Sequence, residues 1–216
     1  MDLPFSVEQF LGVFSDYNTS VWPAQIALNL LAIAAIIFAL TGEVFPRIVA
    51  GILALFWAWT GVVYFLLFFG AISKGAVLYS VLYLIQAFFF VWTGIIKQTL
   101  KFGAGKKPWN VVGGFFVTYA LVMYPVLGYF VGHVYPHSPT FGAPCPITIF
   151  TLGLLMWTGN RAPRWIFVIP ILWSLVGFSA VLFFGIYEDV GLLLAGFTGV
   201  VYLVGRKAAP VVATAV

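Results

Sequence analysis

Charge is what this sequence has least of. Ten lysines and arginines and six acids in 216 residues make 7% charged, against about 25% in an average soluble domain. So few charged side chains cannot clothe the surface of a water-soluble protein of this size. Cysteine is almost absent: the single Cys145 excludes an intrachain disulfide and any disulfide-stapled fold. The stretch Met1–Phe10 lacks the basic start and apolar run of a cleaved signal peptide. The first span is therefore expected to act as an uncleaved insertion signal. No phosphate loop, nucleotide fingerprint, catalytic triad or catalytic acid pair can be assembled, so an enzyme is not the expected class. The net charge of +4 is spread between apolar runs, which speaks for membrane orientation and against nucleic acid.

What is abundant is apolar surface, at 63% of residues. A helix needs about 20 apolar residues to cross a hydrocarbon core of roughly 30 Å. Runs that meet or approach this length predict seven spans, at about 22–41, 48–69, 76–96, 110–131, 146–159, 165–186 and 190–205. The fifth and seventh are short, and a kinked or partly re-entrant segment fits there. Glycine and proline punctuate the connections, at Gly42 and Pro46, Gly70 and Gly75, Gly103 to Pro108, Gly132 to Pro146 and Gly159 to Pro163. With the amino terminus outside, Arg47, Lys97, Lys101, Lys106, Lys107, Arg161, Arg164, Arg206 and Lys207 fall inside and only Lys74 outside. That bias predicts an amino end outside and a carboxyl end in the cytoplasm. The acids Asp2, Glu8, Asp16, Glu188 and Asp189 are then expected in outer segments.

The expected organisation is an interfacial segment 1–21, one membrane domain 22–205 and a cytoplasmic tail 206–216. In the first, Ser6 and Gln9 have capping-box spacing, and Val7, Phe10, Leu11, Phe14 and Tyr17 recur at helical intervals. The membrane domain carries signs of an internal repeat. Thr41-Gly42-Glu43-Val44-Phe45-Pro46-Arg47 and Thr158-Gly159-Asn160-Arg161-Ala162-Pro163-Arg164 share a T-G-x-x-x-P-R pattern. Leu67-Phe68-Phe69-Gly70 matches Leu182-Phe183-Phe184-Gly185, and Trp92-Thr93-Gly94-Ile95-Ile96 matches Phe197-Thr198-Gly199-Val200-Val201. Units 22–96 and 146–205, joined by a linker span 110–131, would run parallel in a three-one-three layout. This arrangement is similar to that of SWEET-type sugar facilitators, in architecture alone, since no sugar-facilitator motif occurs.

No charged residue lies well inside an expected span, which argues against proton coupling through buried carboxylates. The uncharged polar groups Gln25, Asn29, Tyr79, Tyr83 and Gln86 do fall within spans and should turn into the bundle. They are candidates for a neutral solute-binding cavity with aromatic walls such as Trp59, Trp92 and Trp173. Hydrogen bonding between helices explains the same residues without a ligand. The loop Gly132–Pro146 holds both histidines, His133 and His137, and Cys145. Imidazole and thiolate are ligands for zinc, copper or mercury, and haem is a further option for such a loop. The spacing matches no standard metal motif. Pro146 suits the first turn of the fifth span, which would make Cys145 its amino-terminal cap. The loop Lys97–Lys107 is basic enough to attract anionic lipid, although the topology rule alone explains it. Asn18-Thr19-Ser20 has the form of a glycosylation acceptor.

Three stretches carry a family resemblance: Leu3-Pro4-Phe5-Ser6-Val7-Glu8-Gln9-Phe10, Val21-Trp22-Pro23-Ala24-Gln25, and Pro144-Cys145-Pro146-Ile147-Thr148-Ile149-Phe150-Thr151-Leu152-Gly153. They resemble an uncharacterised bacterial family of small multi-spanning membrane proteins, sometimes labelled permeases. The resemblance implies a bacterial inner membrane and brings no activity with it. The expectation is an all-helical membrane carrier or facilitator for a small neutral or weakly polar solute, without a cofactor. The alternatives are a soft-metal or haem protein using His133, His137 and Cys145, and an assembly subunit without a ligand. The expected partners are the lipid bilayer and the solute, with a homo-oligomer left open.

Overall fold

A computed structural model of the chain describes residues 5–41, 45–103 and 108–206. Asp2, residues 42–44 of the first T-G-x-x-x-P-R, Lys106, Lys107 and the tail from Lys207 lie outside them. The described chain is helical with no strand, in seven helices: α1 Val7–Leu40, α2 Pro46–Ala71, α3 Ala76–Ile96, α4 Pro108–Phe130, α5 Pro144–Met156, α6 Arg164–Phe184 and α7 Tyr187–Gly205. All but α5 are long and apolar enough to cross a membrane. The outside of the bundle is dressed accordingly, with Leu30, Leu67, Leu78, Leu175, Leu182 and Phe197 all more than half exposed. An apolar exterior of this kind is what a lipid solvent requires.

The chain runs back and forth between two ends. Arg47, Lys97, Lys101, Arg161, Arg164 and Arg206 gather at one, the basic end, while Lys74 and the 131–143 loop lie at the other, the loop end. At the basic end, Arg164 donates to the Arg206 carbonyl, Arg206 to the Ala162 carbonyl and Tyr202 to the Gly159 carbonyl.

Helix α1 opens with the capping box read from the sequence: Ser6 N donates to Gln9 Oε1 at 2.8 Å, and Gln9 N to Ser6 Oγ at 3.2 Å. From there it continues as one helix of 34 residues through Pro23, so segment 1–21 and the first span are a single element. An internal proline costs a helix about 3 kcal/mol. Burial of an aromatic stripe opposes that cost. The Phe10 ring lies 4.3 Å from Phe184 and 6.3 Å from Phe69, and Tyr17 sits 5.4 Å from Tyr64.

Helix α5 is the centre of the bundle. Every residue from Pro146 to Met156 is buried, as expected of a helix that is apolar all round. Its 13 residues give a length of about 20 Å, too short to cross a membrane by itself. Its two threonines are satisfied, Thr148 by donating to the Pro144 carbonyl and Thr151 by accepting from the Trp57 indole. On one flank Gly113 of α4 and Gly153 of α5 meet backbone to backbone. A Cβ on Gly153 would stand 2.7 Å from the Gly113 carbonyl oxygen. Small residues at crossings of this kind are how helices pack in lipid.

Phe69 and Phe184, from one of the matched motif pairs, both pack on Phe10. Elsewhere the halves pack differently: α5 runs along α7, whereas α1 does not pack along α3.

Gly153→Val should lower stability in detergent by about 1–3 kcal/mol, because the added methyls have no free space between α4 and α5. Gly12→Ala, where nothing lies within 4 Å, should leave stability unchanged or raise it, since alanine is the better helix former. Thermal unfolding of the purified variants checks both.

Candidate functional site

The loop between α4 and α5 descends into the bundle instead of lying over it. Gly132 and Gly142 take left-handed backbone angles at its two bends, with φ of +97° and +118°. At Gly142 a side chain is excluded twice over, because a Cβ would stand 2.5 Å from the Tyr17 hydroxyl and 2.9 Å from Leu28. Pro139, Phe141 and Ala143 are buried, and Phe141 packs on Phe56 and Phe150. Backbone polar groups carried so deep need partners, and side chains supply them. Asn18 donates to the carbonyls of Pro136 (2.6 Å) and Ser138 (2.8 Å), Thr60 to that of Gly142, and Tyr83 to that of Pro144. The Asn18 side-chain oxygen Oδ1 accepts in turn from Gln25 and Thr140. Asn18 is fully buried and its amide engaged, so the acceptor pattern at Asn18-Thr19-Ser20 is a loop anchor.

The second feature was not anticipated. Glu188 and Asp189, expected in an outer segment, are each only 1% exposed. Gly185 ends α6 in a left-handed conformation (φ +72°), and the short turn Tyr187–Asp189 tucks both acids under the loop. Glu188 accepts from or pairs with His133, whose Nδ1 lies 3.0 and 3.1 Å from its two carboxylate oxygens. Gly128 makes the room: a Cβ there would be 3.0 Å from Glu188 Oε1. Asp189 accepts from the Tyr124 hydroxyl, and the Cys145 thiol interacts with it. Tyr119 donates to the Glu188 carbonyl at 2.8 Å. Tyr119 and Tyr124 are five residues apart, which puts them on different faces of an α-helix. A wide π-helical turn at Tyr119–Met123 lets both reach α7. Such turns often accompany functional sites.

Beside Asp189 lies a cavity of about 110 Å³. Its walls are aromatic: Phe5, Phe10 and Phe14 of the amino-terminal turns, Tyr64, Phe65 and Phe69 of α2, with Tyr79, Tyr124, Trp173 and Phe184. Its polar residues include Asp189, Cys145 and Trp173, together with the hydroxyl-bearing Tyr64, Tyr79, Tyr124 and Ser179.

The candidate residues of the sequence divide between several places. Tyr79 lines the cavity. Tyr83 stands behind it, its hydroxyl 3.1 Å from Thr148 Oγ1 and its ring 4.3 Å from Trp57. Gln86 points elsewhere and donates to the Ile166 carbonyl at 3.0 Å. Gln25 belongs to the Asn18 network, and Asn29 donates to the Gln25 carbonyl of its own helix. Trp59 donates to Tyr17, and Trp92 is partly exposed beneath the ammonium of Lys97. His133 and Cys145 flank the acid pair from opposite sides, while His137 is exposed and apart from them. Among the described residues no group of three or more His, Cys, Asp and Glu side chains converges as metal ligands. Cys145 is not the helix cap either. Helix α5 begins at Pro144 after an extended Ala143, because either proline can open a helix and the first one does. The acids were missed because apolar spans seemed to leave them a loop of their own. The usable signal was its length: three residues between two spans are too few to lift two side chains into water.

The model of a family of unknown function, DUF6064, matches residues 7–213. That is nearly the whole chain, and the chain belongs to this family. No curated protein and no solved structure matches it.

Asn18→Ala should cost about 1–3 kcal/mol for each buried partner left unpaired. It should also free the loop, so that limited proteolysis cuts between Val134 and Thr140 faster than in the native protein while the helices stay resistant.

Proposed function

We propose that this DUF6064 member is a carrier or facilitator of a bacterial inner membrane that takes a small solute into the aromatic cavity beside Asp189. The observation that carries the reading is the cavity itself: a partly open hollow among the helices, walled by aromatic rings, with the Asp189 carboxylate and the Trp173 indole on its lining. Ligand sites are mostly apolar with a few placed polar groups, and a buried acid in a membrane bundle commonly marks a solute or ion path. The placement near the loop end, under the amino-terminal turns of α1, differs from the mid-plane site formed by Gln25, Asn29, Tyr79, Tyr83 and Gln86. Of those residues Tyr79 lines this cavity, while Gln25, Asn29, Tyr83 and Gln86 hydrogen-bond to helices or to the descending loop.

In this reading the chain crosses seven times, with α5 as a short enclosed crossing continued by the descending loop. The loop end faces the periplasm and the basic end the cytoplasm. The six described lysines and arginines at the basic end, against Lys74 alone at the other, support that orientation. The different packing of α1 against α3 and of α5 against α7 counts against a parallel duplication of 22–96 and 146–205. Access to the cavity then depends on the contacts of Phe5 and Phe10 with Phe69 and Phe184, so opening is a movement of the amino-terminal turns.

Two measurements test this. An alkaline phosphatase fused after Gly205 should be inactive and one inserted beside Lys74 active; the reverse pattern would overturn the orientation. In proteoliposomes the native protein should speed the flux of a small polar solute. Ala180→Phe, which places a ring in the cavity, should cut that flux by roughly tenfold or more, the scale of 1.4 kcal/mol. No flux across a broad solute panel would sink the carrier reading.

A further inference from the structure

Building on that cavity reading, we infer that its solute is a small protonated amine that also carries a hydroxyl or similar acceptor. The first argument is charge. Asp189 is 1% exposed and meets two neutral donors, the Tyr124 hydroxyl and the Cys145 thiol. Among the described residues the imidazole of His133 is the basic side chain at this acid pair, and it is held by Glu188. An acid buried this deep keeps its proton when no cation is near it, and an ammonium group in the cavity would let the carboxylate form and pair with it.

The walls make the same selection. The faces of Tyr64, Phe65, Tyr79 and Trp173 attract a cation through their ring quadrupoles, and more strongly where water is excluded. A hard metal ion is the wrong cation here, because it requires six or more oxygen ligands and the cavity offers one carboxylate. An anion would be repelled by Asp189.

Size and the remaining polar group narrow the class further. A volume of about 110 Å³ is somewhat below the roughly 150 Å³ that holds a benzene molecule, which limits the solute to about four to six heavy atoms. The Trp173 indole is 7% exposed, and its N–H meets no oxygen acceptor, only the Cys145 thiol. It faces the same polar patch, since the point where a Gly177 Cβ would stand is 3.4 Å from both Trp173 Nε1 and Cys145 Sγ. A donor met only by a thiol, a weak acceptor, and set beside a carboxylate favours a ligand with an oxygen acceptor beside its ammonium group.

The test is calorimetric titration of the full-length protein in lipid nanodiscs with ethanolamine, n-propylamine and 1-propanol. Ethanolamine should bind saturably and at least tenfold more tightly than 1-propanol, with n-propylamine between them. Asp189→Asn should weaken ethanolamine at least tenfold. Trp173→Phe should bring ethanolamine to the level of n-propylamine, so that the advantage given by the hydroxyl disappears. The native-protein comparison decides even if a variant fails to assemble. Equal binding of ethanolamine and 1-propanol would overturn the amine inference and leave the cavity reading standing. Absence of binding by all three would also overturn it, while the cavity reading would still be judged by the Ala180→Phe flux.

Discussion

A backbone in apolar surroundings must find a partner for every polar group, and much of this structure follows from how the segment before α5 meets that demand. Helix α5 is too short to reach from one end of the bundle to the other, so the loop has to descend to meet it. That descent carries peptide groups among aromatic rings, where each unpaired one costs several kcal/mol. Asn18, Thr60 and Tyr83 pair four of the carbonyls on the way down. These side chains come from three helices, so the loop also ties α1, α2 and α3 to the core.

The same descent creates the site. It brings His133 over Glu188 and sets Cys145 at the first turn of α5 against Asp189. Burial of two adjacent carboxylates is tolerated because hydroxyl, thiol and imidazole groups converge on them from α4, α5 and the loop. Neutral donors solvate a carboxylate without cancelling its charge. A buried acid left without a cation beside an aromatic cavity is a reason to read the site as built for a ligand, since packing alone would be served as well by leucine.

Individual residues show where sequence reading succeeds and where it stops. The Ser6–Gln9 box and the turns at Gly132 and Gly159 are local, set by hydrogen bonds and backbone angles within a few residues, and they appear in the chain as written. Tyr83 and Gln86 share a helix face, yet one meets α5 and the other α6. Spacing tells which residues turn inward and says nothing of which neighbour waits there. Cys145 lies between two prolines of equal helix-starting capacity, and the choice between them is made by how deep the loop descends.

Composition and apolar periodicity alone determined that this is an all-helical protein dressed for lipid, with its cations gathered beyond the ends of apolar runs. These are sums over many residues, each driven by the transfer of apolar groups from water. Only the tertiary structure decided that Glu188 and Asp189 are interior. It also decided that Asn18 anchors a loop more than a hundred residues away and that a cavity opens between the amino-terminal turns and Trp173. Those outcomes depend on single pairings between distant segments, which hydropathy, averaged along the chain, does not encode. The lack of charge that first marked the sequence has a narrower meaning in the fold: the two acids kept inside are there because neighbours pair them.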